Sequence, residues 1–151
     1  MRLATIKQSG KEVAALVLKS GLVPFERLND TFNQQWATNL LELMESDQLN
    51  TLNHWFHDEF QQKIREESFE RLIIPFDQVS YAPLYRHPRK IWGIGLNYVE
   101  HAADLHEVSP NTEPASFMKP DTTIIGPGET IQVPLQSERT TAESELGIIL
   151  G

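Results

Sequence analysis

The chain has 151 residues, with 13 basic and 21 acidic side chains, a net charge of -8 and no cysteine. The acidic balance argues against a nucleic-acid partner, because there is no basic stripe to neutralise phosphates. The absence of cysteine excludes disulfides and thiolate metal sites. No apolar run approaches the ~18–20 residues that span a bilayer, and the first residues lack the apolar core of a signal peptide. We therefore expect no membrane partner and a cytoplasmic location.

The first part of the chain predicts a small domain with a hairpin and two helices. Apolar and polar residues alternate from Leu3, the chain turns at Ser9-Gly10, and a short apolar run precedes Ser20-Gly21, so we predict a hairpin over Leu3–Val23. Apolar residues then recur at helical spacing, which predicts one helix from Asp30 to about Asp47 and a second from about Thr51 to Glu67. We assign residues 1–72 to this domain and expect its aromatic side chains to form the core between the helices.

His54 and His57 lie at i and i+3 on the second predicted helix. This spacing suits two metal ligands, but no third ligand lies nearby in the sequence. A pair of surface histidines is the favoured interpretation, and a structural zinc protein is the least favoured of the functions considered.

Residues 73–89 contain three prolines and no helical period, which is typical of an extended linker. The remaining stretch, residues 90–151, predicts interleaved strands with one short helix. The predicted elements are a strand over Lys90–Gly95, a helix over Asn97–Asp104, a strand over Ala115–Lys119, a turn at Gly126–Gly128, and strands over Thr130–Pro134 and Leu146–Leu150. The predicted fold class is α+β: the small first domain is followed by the start of a mostly β sandwich or roll.

Two pairs of side chains in the second half could carry chemistry. His101 and Asp104 are spaced i,i+3 on the predicted helix, so a carboxylate could hold the histidine as a general base. Glu143 and Glu145 are spaced i,i+2, and on a strand both side chains would point to one face. Two adjacent carboxylates repel each other, and a hard divalent cation with oxygen ligands would relieve that repulsion. The alternatives are a surface histidine with an incidental acidic neighbour, and solvated glutamates at an exposed strand edge.

Two further features have weaker functional interpretations. Lys119, at the end of a predicted strand, could attract a carboxylate substrate, although such a lysine more often ends a strand in solvent. Gly126 and Gly128 are not followed by a helix, so a turn is favoured over a phosphate-binding loop.

The stretch from Lys90 onward resembles the catalytic domain of the fumarylacetoacetate hydrolase family. The resemblance rests on four ordered segments: KIWGIGLNYVEH at 90–101, FMKP at 117–120, GPG at 126–128 with Ile131 and Pro134, and ESELG at 143–147. The first residues and the hairpin are similar to the variable domain that precedes the catalytic domain in many members.

This resemblance implies a divalent-metal-dependent hydrolase or lyase. Glu143 and Glu145 match carboxylates that bind Mg²⁺ or Mn²⁺, with Ca²⁺ as a further option for oxygen ligands. The substrate class is a 2-oxo acid or acylpyruvate, and the reaction is C–C bond hydrolysis, decarboxylation or isomerisation. His101, paired with an acid one turn later, matches the residue that activates water, and the helix that bears the pair acts as a lid. The family also implies a homodimer.

The sequence departs from the family pattern in two respects. The acid of the histidine pair is commonly glutamate, whereas Asp104 is shorter by one methylene. The third metal ligand would lie beyond the last residue of the chain, so we expect a truncated catalytic domain that is inactive in isolation. The alternative function is a non-catalytic binding or assembly module that keeps only the first part of the family fold.

Overall fold

A computed structural model describes residues 1–64, 67–96, 98–104 and 115–150. Helices and strands both form, which confirms the α+β class. The chain divides into two compact units, one made of residues 1–85 and 125–151 and the other of residues 86–124. The boundaries predicted at 72/73 and 89/90 stay predictions. In the described part of the chain, no helix is long and apolar enough to cross a membrane.

The first unit begins with a three-stranded antiparallel sheet in the order β1 (Leu3–Gln8), β2 (Lys11–Val17) and β3 (Leu22–Pro24). The register runs from Leu3 opposite Leu16 to Gln8 opposite Lys11. Ser9 and Gly10 both have positive φ, 50° and 77°, as a two-residue turn matched to the strand twist requires. The predicted hairpin is confirmed.

The single helix predicted from Asp30 to Asp47 is wrong, because two short helices with a loop between them occupy this stretch. The first helix, α1, spans Phe25–Phe32 and the second, α2, spans Leu40–Glu45. Asn33 ends α1 in the left-handed conformation (φ 51°, ψ 46°), which asparagine tolerates better than most residues. Asn39 then caps α2, since its Oδ1 accepts the N–H of Leu41 at 2.9 Å.

The side chain of Asn29 stabilises the loop between these helices through two hydrogen bonds. Its Nδ2 donates to the carbonyl of Trp36 at 2.8 Å, and its Oδ1 accepts the N–H of Trp36 at 3.0 Å. Trp36 is thereby placed in the core at 9% exposure without belonging to a helix. Its helical spacing from Phe32 and Leu40 is therefore coincidental.

We expect Asn29→Ala to lower the free energy of unfolding by about 2 kcal/mol, since each of its two hydrogen bonds contributes about 1 kcal/mol. Urea denaturation followed by tryptophan fluorescence measures this change. Asn29→Asp is the matched control, because it keeps the acceptor for the Trp36 N–H, while a carboxylate oxygen replaces the donor to the Trp36 carbonyl. Equal stability of Asn29→Ala and the wild type would show that the loop does not depend on these bonds.

The second predicted helix forms, although it begins earlier than predicted. It consists of α3 (Gln48–Trp55), a π-helical turn (Phe56–Phe60) and α4 (Gln61–Lys63), and α5 (Glu67–Glu70) follows two residues that are not described. The predicted aromatic core between the helices is confirmed. It comprises buried residues from the sheet, the helices and the loop: Leu16, Phe25, Leu28, Trp36, Leu43, Leu52, Trp55, Phe60 and Phe69.

The second unit is built on a two-stranded antiparallel sheet of β4 (Ile91–Gly95) and β5 (Ala115–Lys119), with α6 (Val99–Asp104) between them in sequence. All three elements were predicted. Gly93 lies opposite Phe117, and a Cβ added to Gly93 would overlap the Phe117 ring. The glycine therefore makes room for that ring on the face of the sheet.

The strands predicted over Thr130–Pro134 and Leu146–Leu150 are wrong for this structure, because neither segment forms a strand. Their apolar side chains are exposed: Ile131, Val133, Leu146, Ile148, Ile149 and Leu150. A strand requires backbone hydrogen bonds to a neighbouring strand, and no described strand lies beside either segment. The sequence pattern alone does not supply that neighbour, and the sandwich predicted for this half is not formed by the described residues.

Candidate functional site

Helix α6 carries the predicted general base. Positions 101 and 104 both belong to this helix, as predicted, but the side chains of His101 and Asp104 lie outside the described part of the structure. Ala102, on the same helix, is buried at 1% exposure, and its N–H donates to the carbonyl of Tyr98 at 2.9 Å. The pairing of the two side chains stays a prediction.

Lys119 ends β5 in solvent, where its Nζ lies 5.8 Å from the centroid of the Phe117 ring. This is a cation–π contact at an exposed site, and it holds the ammonium group over an apolar face. The turn at Gly126–Gly128 is also present. The N–H of Gly126 donates to Oε2 of Glu129 at 2.8 Å, so a side chain of the protein already occupies this donor.

A second acid–histidine pair in this unit was not found by the sequence analysis. Nδ1 of His87 lies 3.0 Å from Oδ2 of Asp121, which directly follows Lys119-Pro120. The two residues are 34 positions apart, and no helical or strand spacing connects them. Only the fold of residues 86–124 brings them together.

The hydrogen bond to His87 lowers the pKa of the Asp121 carboxyl below its ordinary value. A carboxyl whose pKa is depressed on folding contributes stability above its unfolded-state pKa, and this contribution is lost as the pH falls through the folded-state pKa. We expect a carbon-detected NMR titration to show this lowered midpoint for Asp121. In His87→Ala the midpoint should rise, because the largest cause of the lowered pKa is removed, and in the control His54→Ala it should not move. An unchanged midpoint in His87→Ala would contradict the assignment.

The two predicted metal ligands lie in an irregular segment of the first unit. Both Glu143 and Glu145 are exposed, and Oε1 of Glu143 accepts the hydroxyl of Thr141 at 3.0 Å. Because the segment is not a strand, the geometric reason for placing both carboxylates on one face does not apply in this structure. Within the described ranges, no group of three or more His, Asp or Glu side chains is arranged to hold a metal ion.

Residues 90–151 match the family model described as "Fumarylacetoacetate (FAA) hydrolase C-terminal". This part of the chain is similar to the fumarylacetoacetate hydrolase family. The resemblance of the second half is thus confirmed, and the match contains α6, the β4–β5 sheet and both glutamates.

Curated relatives match about half of the chain or somewhat less. A protein of Archaeoglobus fulgidus is 38% identical over 82 residues, which are 54% of this chain and 32% of that protein. A Pyrococcus horikoshii protein is 42% identical over 64 residues, 42% of this chain and 27% of its own length. A Burkholderia cenocepacia protein named "Putative hydrolase" is 43% identical over 65 residues, 43% of this chain and 23% of its own. The matched part thus spans a third or less of these relatives.

The fumarylacetoacetate hydrolase family implies a divalent metal, and the donor chemistry of the two glutamates fits such an ion. Hard cations prefer oxygen ligands, and Glu143 and Glu145 both present carboxylate oxygens to solvent. Mg²⁺ takes about six oxygen ligands in octahedral geometry, so the two glutamates would supply only part of its coordination shell.

His54 and His57 are both exposed, as expected for a surface pair.

Proposed function

We propose that residues 90–151 contribute the general-base helix and two metal-binding carboxylates to a divalent-metal-dependent hydrolase or lyase. The substrate class is a 2-oxo acid or an acylpyruvate. The family match carries this proposal, because it contains both functional pairs: His101 with Asp104, and Glu143 with Glu145. The exposed position of both glutamates supports it, since they can reach a cation without burying uncompensated charge.

Each pair has a separate role. Glu143 and Glu145 hold Mg²⁺ or Mn²⁺, which when bound supplies Lewis-acid stabilisation of negative charge on the substrate's oxo group. His101 accepts a proton from the attacking water, and Asp104 fixes the orientation of the imidazole and stabilises its protonated form. The reaction is C–C bond hydrolysis, decarboxylation or isomerisation.

We also propose that residues 130–134 and 146–150 become strands only when further strands of a catalytic domain pair with them. Leu146, Ile148, Ile149 and Leu150 are 79%, 77%, 46% and 92% exposed. An apolar run of this kind is typical of a buried strand. The chain by itself is accordingly expected to be inactive.

A segment exchange tests the proposed function. Residues 90–151 replace the matched segment of the Pyrococcus horikoshii relative, after the parent protein has been screened with Mn²⁺ against acylpyruvates and 2-oxo acids. We expect the chimera to turn over the same compound as its parent, and the chain alone to show no turnover. A folded chimera without activity would contradict the catalytic assignment and favour a non-catalytic module. Turnover by the chain alone would contradict the expected inactivity.

Homodimerisation is a further part of the proposal, supported by the apolar side chains that Trp92 and Met118 expose on the β4–β5 sheet. Light scattering of the purified chain across a concentration series measures it. A mass that stays at one chain throughout the series would contradict it.

A further inference from the structure

The edge of β1 that does not pair with β2 forms hydrogen bonds with residues 80–84, which precede the second unit in the sequence. β1 pairs with β2 along one edge, and on its other edge the N–H of Lys7 donates to the carbonyl of Ser80 at 2.7 Å. The N–H of Ala82 donates to the carbonyl of Thr5 at 2.9 Å. The hydroxyl of Thr5, a buried residue, donates to the carbonyl of Leu84 at 2.6 Å. Residues 80–84, which directly precede the unit of residues 86–124 in the sequence, are therefore hydrogen-bonded to β1.

Residues 126–129, which follow the second unit in the sequence, also contact β1. Nζ of Lys7 lies 3.2 Å from Oε1 of Glu129, and Oε2 of Glu129 accepts the N–H of Gly126 at 2.8 Å. Glu129 thus closes its own turn and connects that turn to β1. The pair with Lys7 is partly exposed, so the hydrogen bond to Gly126 is the stronger of the two contacts.

The two segments, residues 80–84 and 126–129, also touch each other. Gly126 and Pro83 are both buried, and a Cβ added to Gly126 would lie 2.8 Å from Cδ of Pro83. Lys7 contacts both segments, with its backbone on Ser80 and its side chain on Glu129. A displacement of either segment therefore disturbs the contacts of the other.

We propose that these contacts form a latch in which the edge of β1 holds residues 80–84 and 126–129, the two segments that flank residues 86–124 in the sequence, as one cooperative unit. Opening at the end formed by residues 126–129 raises the probability of opening at the end formed by residues 80–84, and the reverse also holds. The N-terminal sheet thereby controls how firmly the two segments that flank residues 86–124 in the sequence are held. This inference does not depend on the proposed catalytic function.

Amide hydrogen exchange in the full-length chain, measured by NMR, tests the latch. The N–H groups of Ala82 and Gly126 report the two ends, and the N–H of Leu22, which donates to the carbonyl of Ile74 at 2.9 Å, reports the sheet elsewhere. Glu129→Ala should speed exchange at Gly126 by about fivefold, the loss expected for one hydrogen bond. It should also speed exchange at Ala82 by about threefold while Leu22 is unchanged.

Two further variants separate the contributions to the latch. Glu129→Gln keeps an oxygen that can accept the Gly126 N–H and loses the ion pair with Lys7. Because that pair is partly exposed, a change of less than about twofold is expected at both ends. Thr5→Val removes the hydroxyl at similar volume and should speed exchange at both Ala82 and Gly126. Faster exchange confined to the mutated end would overturn the latch. An equal rise at Leu22 would also overturn it, because the sheet would then open as a whole.

Discussion

Replacing Phe60 by alanine is expected to lower the free energy of unfolding by about 3–5 kcal/mol, the usual cost of truncating a buried phenylalanine. Phe60 is fully buried at the end of the π-helical turn. Its ring centroid lies 5.1 Å from that of Trp55 and 5.2 Å from that of Phe69. Truncation would leave a cavity among rings that cannot close over it.

Urea denaturation followed by circular dichroism measures the effect of Phe60→Ala. Phe56→Ala is the matched control, because Phe56 begins the same π-helical turn but is only partly buried. A loss of less than about 2 kcal/mol, below the usual range for buried phenylalanine, would show that the core relaxes into the space. A loss in Phe56→Ala as large as that in Phe60→Ala would show that the π-helical turn, rather than burial, determines the cost.

The second large effect concerns the metal. We expect the chain to bind Mn²⁺ weakly, with a dissociation constant of about 0.1–1 mM, because two carboxylates offer only part of a coordination shell. In the Glu143→Ala, Glu145→Ala double variant this binding should disappear from calorimetric titrations. In the chimera described above, the same double variant should lose more than about 100-fold in kcat/KM, since even residues that only support metal ligands cost 10- to 100-fold.

Glu138→Ala is the control for this experiment, because Glu138 is also an exposed glutamate in the same part of the chain. It should bind Mn²⁺ as the wild type does. Undiminished binding in the double variant would contradict the assignment of these two glutamates. Loss of binding in Glu138→Ala as well would show that the ion is attracted by the general acidity of the segment rather than by a defined pair.

The elements that the sequence predicted well are those whose stability is local or whose partner is close in sequence. The hairpin of β1 and β2 has a two-residue turn, so its strands meet without help from the rest of the fold. β4 and β5 were predicted from their apolar content and bounding glycine and proline. The ordered motifs of residues 90–151 indicated the family, and they did so without any knowledge of the structure.

Helical spacing alone was misleading in the first unit. Phe32, Trp36 and Leu40 have the periodicity of a helix, yet Asn33 ends α1 and Asn29 holds Trp36 in a loop. Two asparagines therefore outweighed the apolar pattern. The backbone of Asn33 adopts the left-handed conformation that ends the helix, and the side chain of Asn29 bonds to backbone groups of the loop.

What the sequence by itself determined was the resemblance of residues 90–151 to the fumarylacetoacetate hydrolase family, the hairpin, the aromatic composition of the core and the residues proposed for catalysis. What only the tertiary structure decided were contacts between residues far apart in the chain: His87 with Asp121, and Lys7 with Glu129. The tertiary structure also decided that Leu146–Leu150 is not a strand here. The physical reason is the same in each case. A strand or an ion pair needs a partner that lies far away in the sequence, and a long loop must close before the two meet. Local sequence patterns contain no information about that partner.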